Sequence, residues 1–527
     1  MRGLCFLVAS ALTVGVIAAP VPAPTPKFEL GKDTTYLTGP LDAEGFVDYE
    51  TALNERLRGK IEPGENAVSL LVEAIGPKLD GKKLHPDFFK WLGTEPLPEN
   101  GEYLIGAAEF FGEERRQEGF FEREGRRMSE PWTAEDDPKF AEWLAKNEKP
   151  LAKATEAAKR KHYFCPLVAR TGTGARGSLL VAAMMGPPSG SRQIVQLLSA
   201  RVMLRCGEKK YDAAWQDILS IYRLGRLTSR SGTLIGSLVG ISFGAVAEGK
   251  ALALLESSKP SAKQARQFRD DLLALPPPMP LAEVYDGYER FGFLDSLREY
   301  RRKGVRAVPF LKDEEELPTE ERTEASMSQI DWGLIQRTGN GALDKAVAAC
   351  RLPTHAARMK ALTEVAKPFL PEGPNDANPF DVLKTDDLVA LLKETDPKKL
   401  RTTVSETLAR RVVRDHVLVF DKIATSVDRA EQTHRNLLVA VALAGHLADT
   451  GKYPTKLADL APKYLVTVSD DLFSGKPLVY KPANGGYLFY SVGVNGADDG
   501  GKLFNDHLDE RGDDIGVRMP RSNATDR

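Results

Sequence analysis

Across residues 42–424, apolar side chains recur at a spacing near 3.6, the period of a helix with one buried face. Ala67, Val68, Leu70, Leu71, Ala74 and Ile75 form one such stripe, with Asn66 placed as an N-cap and Gly76-Pro77 as the stop. Residues 196–227 predict a helical hairpin. Leu197, Leu198, Val202 and Leu204 lie on its first helix, Gly207 at its turn, and Tyr211, Ala214, Trp215, Ile218, Ile221 and Tyr222 on its second. Residues 428–449 carry a long apolar stripe through Leu437, Val441, Ala444 and Leu447, closed by Gly451 as C-cap, and Thr455 is placed to cap a short helix through Leu460. The period then changes. Residues 477–481 and 487–491 read as two strands around the turn Asn484-Gly485-Gly486, a hairpin pattern.

The order Gly207, Tyr211, Ala214 resembles one tetratricopeptide unit, but no second copy follows about 34 residues on, so a repeat array is not implied. Gly232, Gly236, Gly240 and Gly244 recur every four residues within residues 231–247, which carry no charge. Glycines at that spacing form one smooth groove along a helix, against which another helix can pack closely. Seventeen uncharged residues are short for a membrane span of about 20, so a buried helix of the scaffold is the expectation. Residues 109–127 mix six Glu with five Arg around four Phe, the composition of a solvated helical surface. Prolines and polar residues near 312–324 and 368–379 predict surface loops within the helical region.

The N-terminus changes the picture of compartment. Arg2 precedes a run of apolar and small residues, 4–19, too short for a span and fitted to a signal peptide cleaved after Ala18. Pro20, Pro22, Pro24 and Pro26 follow as an extended spacer. The mature chain is therefore expected to be exported, periplasmic or extracellular, without a transmembrane span. The three cysteines beyond the signal peptide, Cys165, Cys206 and Cys350, make no disulfide framework, and nothing in their spacing requires a bridge. A formal net charge of −2 gives no reason to expect nucleic acid as partner; an unidentified protein or envelope component is the partner expected.

No catalytic motif stands out. The sequence has no His-Glu-x-x-His, no phosphate-binding Gly-Lys-Ser/Thr loop and no Cys-x-x-Cys. Seven scattered histidines include no i, i+4 pair, and His434 and His446 lie about 120° apart around one helix. Residues 491–515 do concentrate charge, with seven carboxylates against Lys502 and Arg511 and five glycines among them. Such a loop can share a hard cation, although on composition alone a solvated acidic loop is the simpler reading.

Four motifs in order, Gly451–Thr455, Asp471–Tyr480, Tyr490–Gly496 and Asp513–Gly516, resemble the head of the type II secretion major pseudopilin. The resemblance implies a small α+β head with calcium in the loop after the hairpin, held by Asn495, Asp513 and Asp514 with Ser491. It departs from the family in three ways. Asn495 stands where Asp is usual, the loop 500–512 is longer, and the N-terminal pilin helix is missing, so polymerisation is not implied. The rest of the chain resembles exported proteins of planctomycete-type bacteria, which implies no activity.

The expected fold is thus mostly α. A multi-helix scaffold, with one tetratricopeptide-like hairpin, carries a small C-terminal α+β pseudopilin-like head. The expected division is a signal peptide (1–18), a proline-rich linker (19–41), the scaffold (42–424), the head (425–520) and a tail (521–527). The expected role is an exported interaction or structural protein. A secreted hydrolase with a helical catalytic domain is the rival reading, and an accessory component of a type II secretion-like machine the third. A deep pocket with converging titratable groups would tell against a smooth scaffold.

Overall fold

The computed structural model describes residues 24–79, 82–168, 188–307, 319–370, 385–417, 419–483, 485–504, 506 and 512–521. The expected signal peptide with its cleavage site, residues 312–318 and 371–379 of the expected loops, and residues 522–527 of the tail lie outside these. The described chain is mostly helical, with a small three-stranded antiparallel sheet near its C-terminal end.

The helices that matter most here are α1 (Tyr49–Arg58), α2 (Ala67–Ile75), α3 (Pro188–Gly207), α4 (Tyr211–Thr228), α5 (Leu234–Ser258), α6 (Ala262–Leu273), α7 (Arg290–Lys303), α8 (Trp332–Cys350), α9 (His355–Ala366), α10 (Ser405–Val417) and α11 (Phe420–Thr450). Local signals set many of their ends. The Asn66 side chain accepts from the Val68 N–H at the start of α2, and Gly76 closes that helix at φ 98°. The hairpin α3–α4 forms as its pattern predicts. It is pinned by buried Asp217, whose carboxylate accepts from Arg201 at 2.7 and 2.9 Å and from Arg205 at 2.6 Å. Gly207 is required there because a Cβ would fall 2.0 Å from the carbonyl oxygen of Trp132.

Two hydrophobic cores form, and neither is continuous in sequence. The first joins side chains between residues 67 and 272 to those between 437 and 519. The second joins residues 28–53 to side chains between 282 and 424. The expected proline-rich linker is therefore packed from Phe28 on. Phe28 contacts the rings of Phe46 and Trp332, and Asn340 of α8 donates to the Thr34 carbonyl at 2.6 Å. Apolar and hydrogen-bonding residues after the prolines give this stretch something to bury, which a spacer lacks. The loop expected near 312–324 likewise ends early, in a helix over Glu320–Met327 capped by Thr319.

Helix α11 links the two cores. Phe420 and Ala424 near its start belong to the second core, while Leu437, Val439, Ala440, Val441 and Leu443 belong to the first. The boundary expected at 424–425 falls inside this one helix. Its middle is polar: Asp428, Gln432 and Asn436, spaced by four, are all buried on one face.

The sheet is β1 (Val479–Ala483), β2 (Gly486–Ser491) and β3 (Ile515–Met519), in that spatial order. Tyr487 pairs with Met519 and Phe489 with Val517, so one face presents an apolar layer to the first core. The third strand was not expected from the sequence.

Candidate functional site

Where the two cores meet, a cavity of about 1020 Å³ opens. Its walls are α4 and α5, residues 278–281, the start of α9, the polar middle of α11, and head residues around Asp471 and Ile515.

The glycine-rich helix builds one wall. At Gly240 it crosses α4 backbone to backbone, and a Cβ there would lie 2.5 Å from the Gly225 carbonyl oxygen. One turn later this face opens onto the cavity. A Cβ on Gly244 or Gly249 would meet nothing within 4 Å, and both residues face the cavity. The same repeat thus makes a close crossing at one end and open volume at the other. By length and composition α5 is apolar enough to cross a membrane, and half of its most apolar window is buried inside this protein.

Tyr222 and Arg226, one turn apart on α4, line the cavity with Glu248 of α5. Glu248 is only 6% exposed. Burial pushes its carboxyl up to about 8, against the opposing pull of Arg226, so the group is neutral at pH 7. The Arg226 guanidinium makes no hydrogen bond or ion pair with the described residues. The Tyr222 hydroxyl faces Glu248 without a hydrogen bond of good geometry and is buried with no partner. Burial raises the Tyr222 phenol well above its ordinary value. His434 of α11 stands edge-on to the Tyr222 ring at 5.9 Å. Burial, helped by Arg226, lowers its imidazole to about 4, and its Nδ1 is also without a partner.

The other arginines of the cavity are matched. Arg358 meets Asp428 at 2.6 Å, Arg435 meets Glu431 at 2.8 Å, and Arg429 pairs with Asp513. Asp428 also bonds His355 at 2.8 Å. On the head side, Asp471 accepts from Ser491 and Ser474, each at 2.6 Å. The hydroxyls of Ser229, Ser237, Ser426 and Thr433 donate to backbone carbonyls of their own helices. Burial pushes the Cys350 thiol up to about 11, so it is no thiolate at neutral pH. The arrangement is equipped to hold a ligand and, at Glu248, to exchange a proton near neutral pH.

The residues expected to hold calcium lie beside this cavity. Asn495 and Asp513 come together, the Asn495 N–H donating to Asp513 at 2.7 Å, and both donate to Asp499. Asp514 accepts from the Gly501 N–H at 2.8 Å, and burial raises its carboxyl above the usual range. Ser491 is engaged instead with Asp471. The Asn495 side-chain oxygen accepts from Ala497 N–H, and Asp513 also holds Arg429. Each of these side-chain oxygens thus already accepts a hydrogen bond, and one carboxylate oxygen of Asp513 holds Arg429. Among the described residues, no three His, Cys, Asp or Glu side chains are grouped to hold a metal. A calcium ion at Asp513 would compete with Arg429 for its carboxylate. The three cysteines are free.

Sequence reasoning passed over Tyr222, Arg226, Glu248 and His434. One signal was present: Glu248 is the first charge after the uncharged stretch 231–247. No family model matches the chain, and no curated protein or solved structure is similar to it.

Proposed function

We propose that the protein is an exported binding protein that encloses one small molecule between its helical scaffold and its C-terminal head. The observation that carries this reading is the cavity of about 1020 Å³, apolar and glycine-lined on one side, with Tyr222, Arg226 and Glu248 converging at one end. Ligand pockets have this character, about 300–1,000 Å³ of mostly apolar wall with a few placed polar groups. The cavity hydroxyls are turned onto helix backbones, which supports binding over hydrolysis. Export rests on the N-terminal pattern. A pseudopilin-like head over residues 425–520 is supported by a long helix leading into a three-stranded antiparallel sheet and by the ordered motifs. On that reading the head serves as the second jaw of the site.

The test is titration of the full chain with Nile red, an uncharged apolar dye. Stoichiometric binding with blue-shifted emission is expected, and Gly244→Trp, which fills the cavity from α5, should abolish it. No binding by the wild type, or equal binding by both, would overturn the reading.

A further inference from the structure

We infer that the cavity takes an amphipathic monoanion, its charged group held by Arg226 with hydrogen bonds from Tyr222 and Glu248, and its apolar body laid along the open glycine face of α5. The inference rests on the binding reading above and adds the ligand's chemical class.

Three independent features converge on it. Arg226 is the cavity arginine without an ion-pair partner among the described residues, whereas Arg358, Arg429 and Arg435 each have one. An anion matches one charge with one charge. A cation would add to Arg226, and a dianion would leave a second charge beside Glu431, which faces the same cavity. The Tyr222 hydroxyl, on a side chain only 2% exposed, faces Glu248 but makes no hydrogen bond of good geometry. Buried donors without partners are rare unless a ligand supplies one. Glu248 does not neutralise Arg226, because burial keeps its proton on at neutral pH, and a protonated carboxyl donates.

The polar groups of α11 and the head line another part of the wall, but along α5 it is apolar, with Ile241, Gly244, Ala245 and Leu252 lining the cavity together with Met279 and Leu281. That surface offers no partner to a polar body but buries a hydrocarbon or aromatic one.

The pH behaviour follows from the groups that face Glu248, which are Tyr222 and Arg226 from α4 and Glu431 from α11. Above about pH 8 Glu248 ionises, becomes the partner of Arg226, and competes with the ligand. Anion affinity should therefore fall between pH 7 and 9, where a carboxylate ligand keeps its own charge.

The experiment is calorimetric titration of the full chain with dodecanoate, dodecanol and dodecyltrimethylammonium, each below its micelle concentration. Dodecanoate is expected to bind at least about tenfold more tightly than the other two. Arg226→Gln should erase that preference, Arg226→Lys should keep part of it, and Tyr222→Phe should weaken dodecanoate several-fold. Glu248→Gln should remove the fall in affinity between pH 7 and 9. If Arg226→Gln does not fold, the comparison of the three probes on wild type decides alone. Dodecanol or the cation binding as tightly as dodecanoate would overturn the monoanion while the cavity reading stands. So would Nile red binding that dodecanoate fails to displace. Failure of Nile red to bind would overturn both.

Discussion

Gln432 donates through Nε2 to the side-chain oxygen of Asn436 at 2.8 Å, one turn further along α11, and the pair joins the helix to the head. Gln432 Oε1 accepts from the Leu472 N–H, and Asn436 Nδ2 donates to the Ile515 carbonyl, both at 2.8 Å. Asp428, a turn earlier, holds His355 and Arg358 of α9. One polar face thus fastens α11 to both sides of the cavity with every buried group answered.

Asn436→Ala should therefore cost about 1–3 kcal/mol, because it leaves the Ile515 carbonyl and the Gln432 amide without their partner in a buried setting. Urea unfolding of the full chain measures this. A midpoint equal to wild type would show that the ladder adds nothing to stability.

Two glycines of the same helix should respond with opposite signs to the same change. Gly240→Ala places a methyl against the Gly225 carbonyl and should destabilise by about 1–3 kcal/mol. Gly244→Ala meets open cavity and should stabilise by about 0.5–1 kcal/mol through helix propensity. Thermal unfolding of the two variants side by side checks the pair, and shifts of the same sign would contradict the crossing geometry.

Stability should depend on pH through Glu248 and His434 in opposite directions. The Glu248 carboxyl is raised from 4.5 to about 8. Between those values the unfolded chain has released a proton that the folded chain retains, so stability falls as pH rises through the window. The His434 imidazole is lowered from 6.5 to about 4, so stability falls as pH drops through that second window. Glu248→Gln should flatten the alkaline side of the Tm profile and His434→Phe the acid side. A profile unchanged by either substitution would refute the corresponding assignment.

Calcium and Arg429 should compete for Asp513. Removing the guanidinium with Arg429→Gln frees the carboxylate, so the rise in Tm on exchanging EDTA for calcium should be larger in the variant than in wild type. Measured on the full chain at matched ionic strength, equal midpoints in all four conditions would remove calcium from the description of this loop.

Much of the local structure was written in short-range pattern. The Asn66 cap, the α3–α4 hairpin and the strands around Asn484-Gly485-Gly486 rest on neighbours within a few turns, and they form as the pattern predicts. Strand β3 carries a period of two in Ile515, Val517 and Met519, but five residues after an acidic loop are too few to identify without their partner strand. The cavity was illegible for a different reason. Tyr222, Glu248 and His434 lie on three helices, and only packing brings them together. The repeated glycines pointed to a close helix crossing. That they also leave open volume beside Gly244 depends on what the rest of the chain packs there, which spacing does not encode.

The interleaving of the two cores has a consequence for synthesis. Residues 28–53 must wait for 282–424 to be made, and residues 67–272 must wait for 437–519. A ribosome delivering the chain N-terminus first therefore completes the second core only once residue 424 has emerged, and the first only with the last strand. Contacts of such long sequence separation make folding slow. Helix α6 lacks its α11 partners throughout that interval, although Phe268 already stacks on Trp215 of α4, since α11 and the segment around Leu460 and Tyr464 arrive last. C-terminal truncation should accordingly damage the N-terminal half as much as the end removed, and the chain in transit would need protection from aggregation.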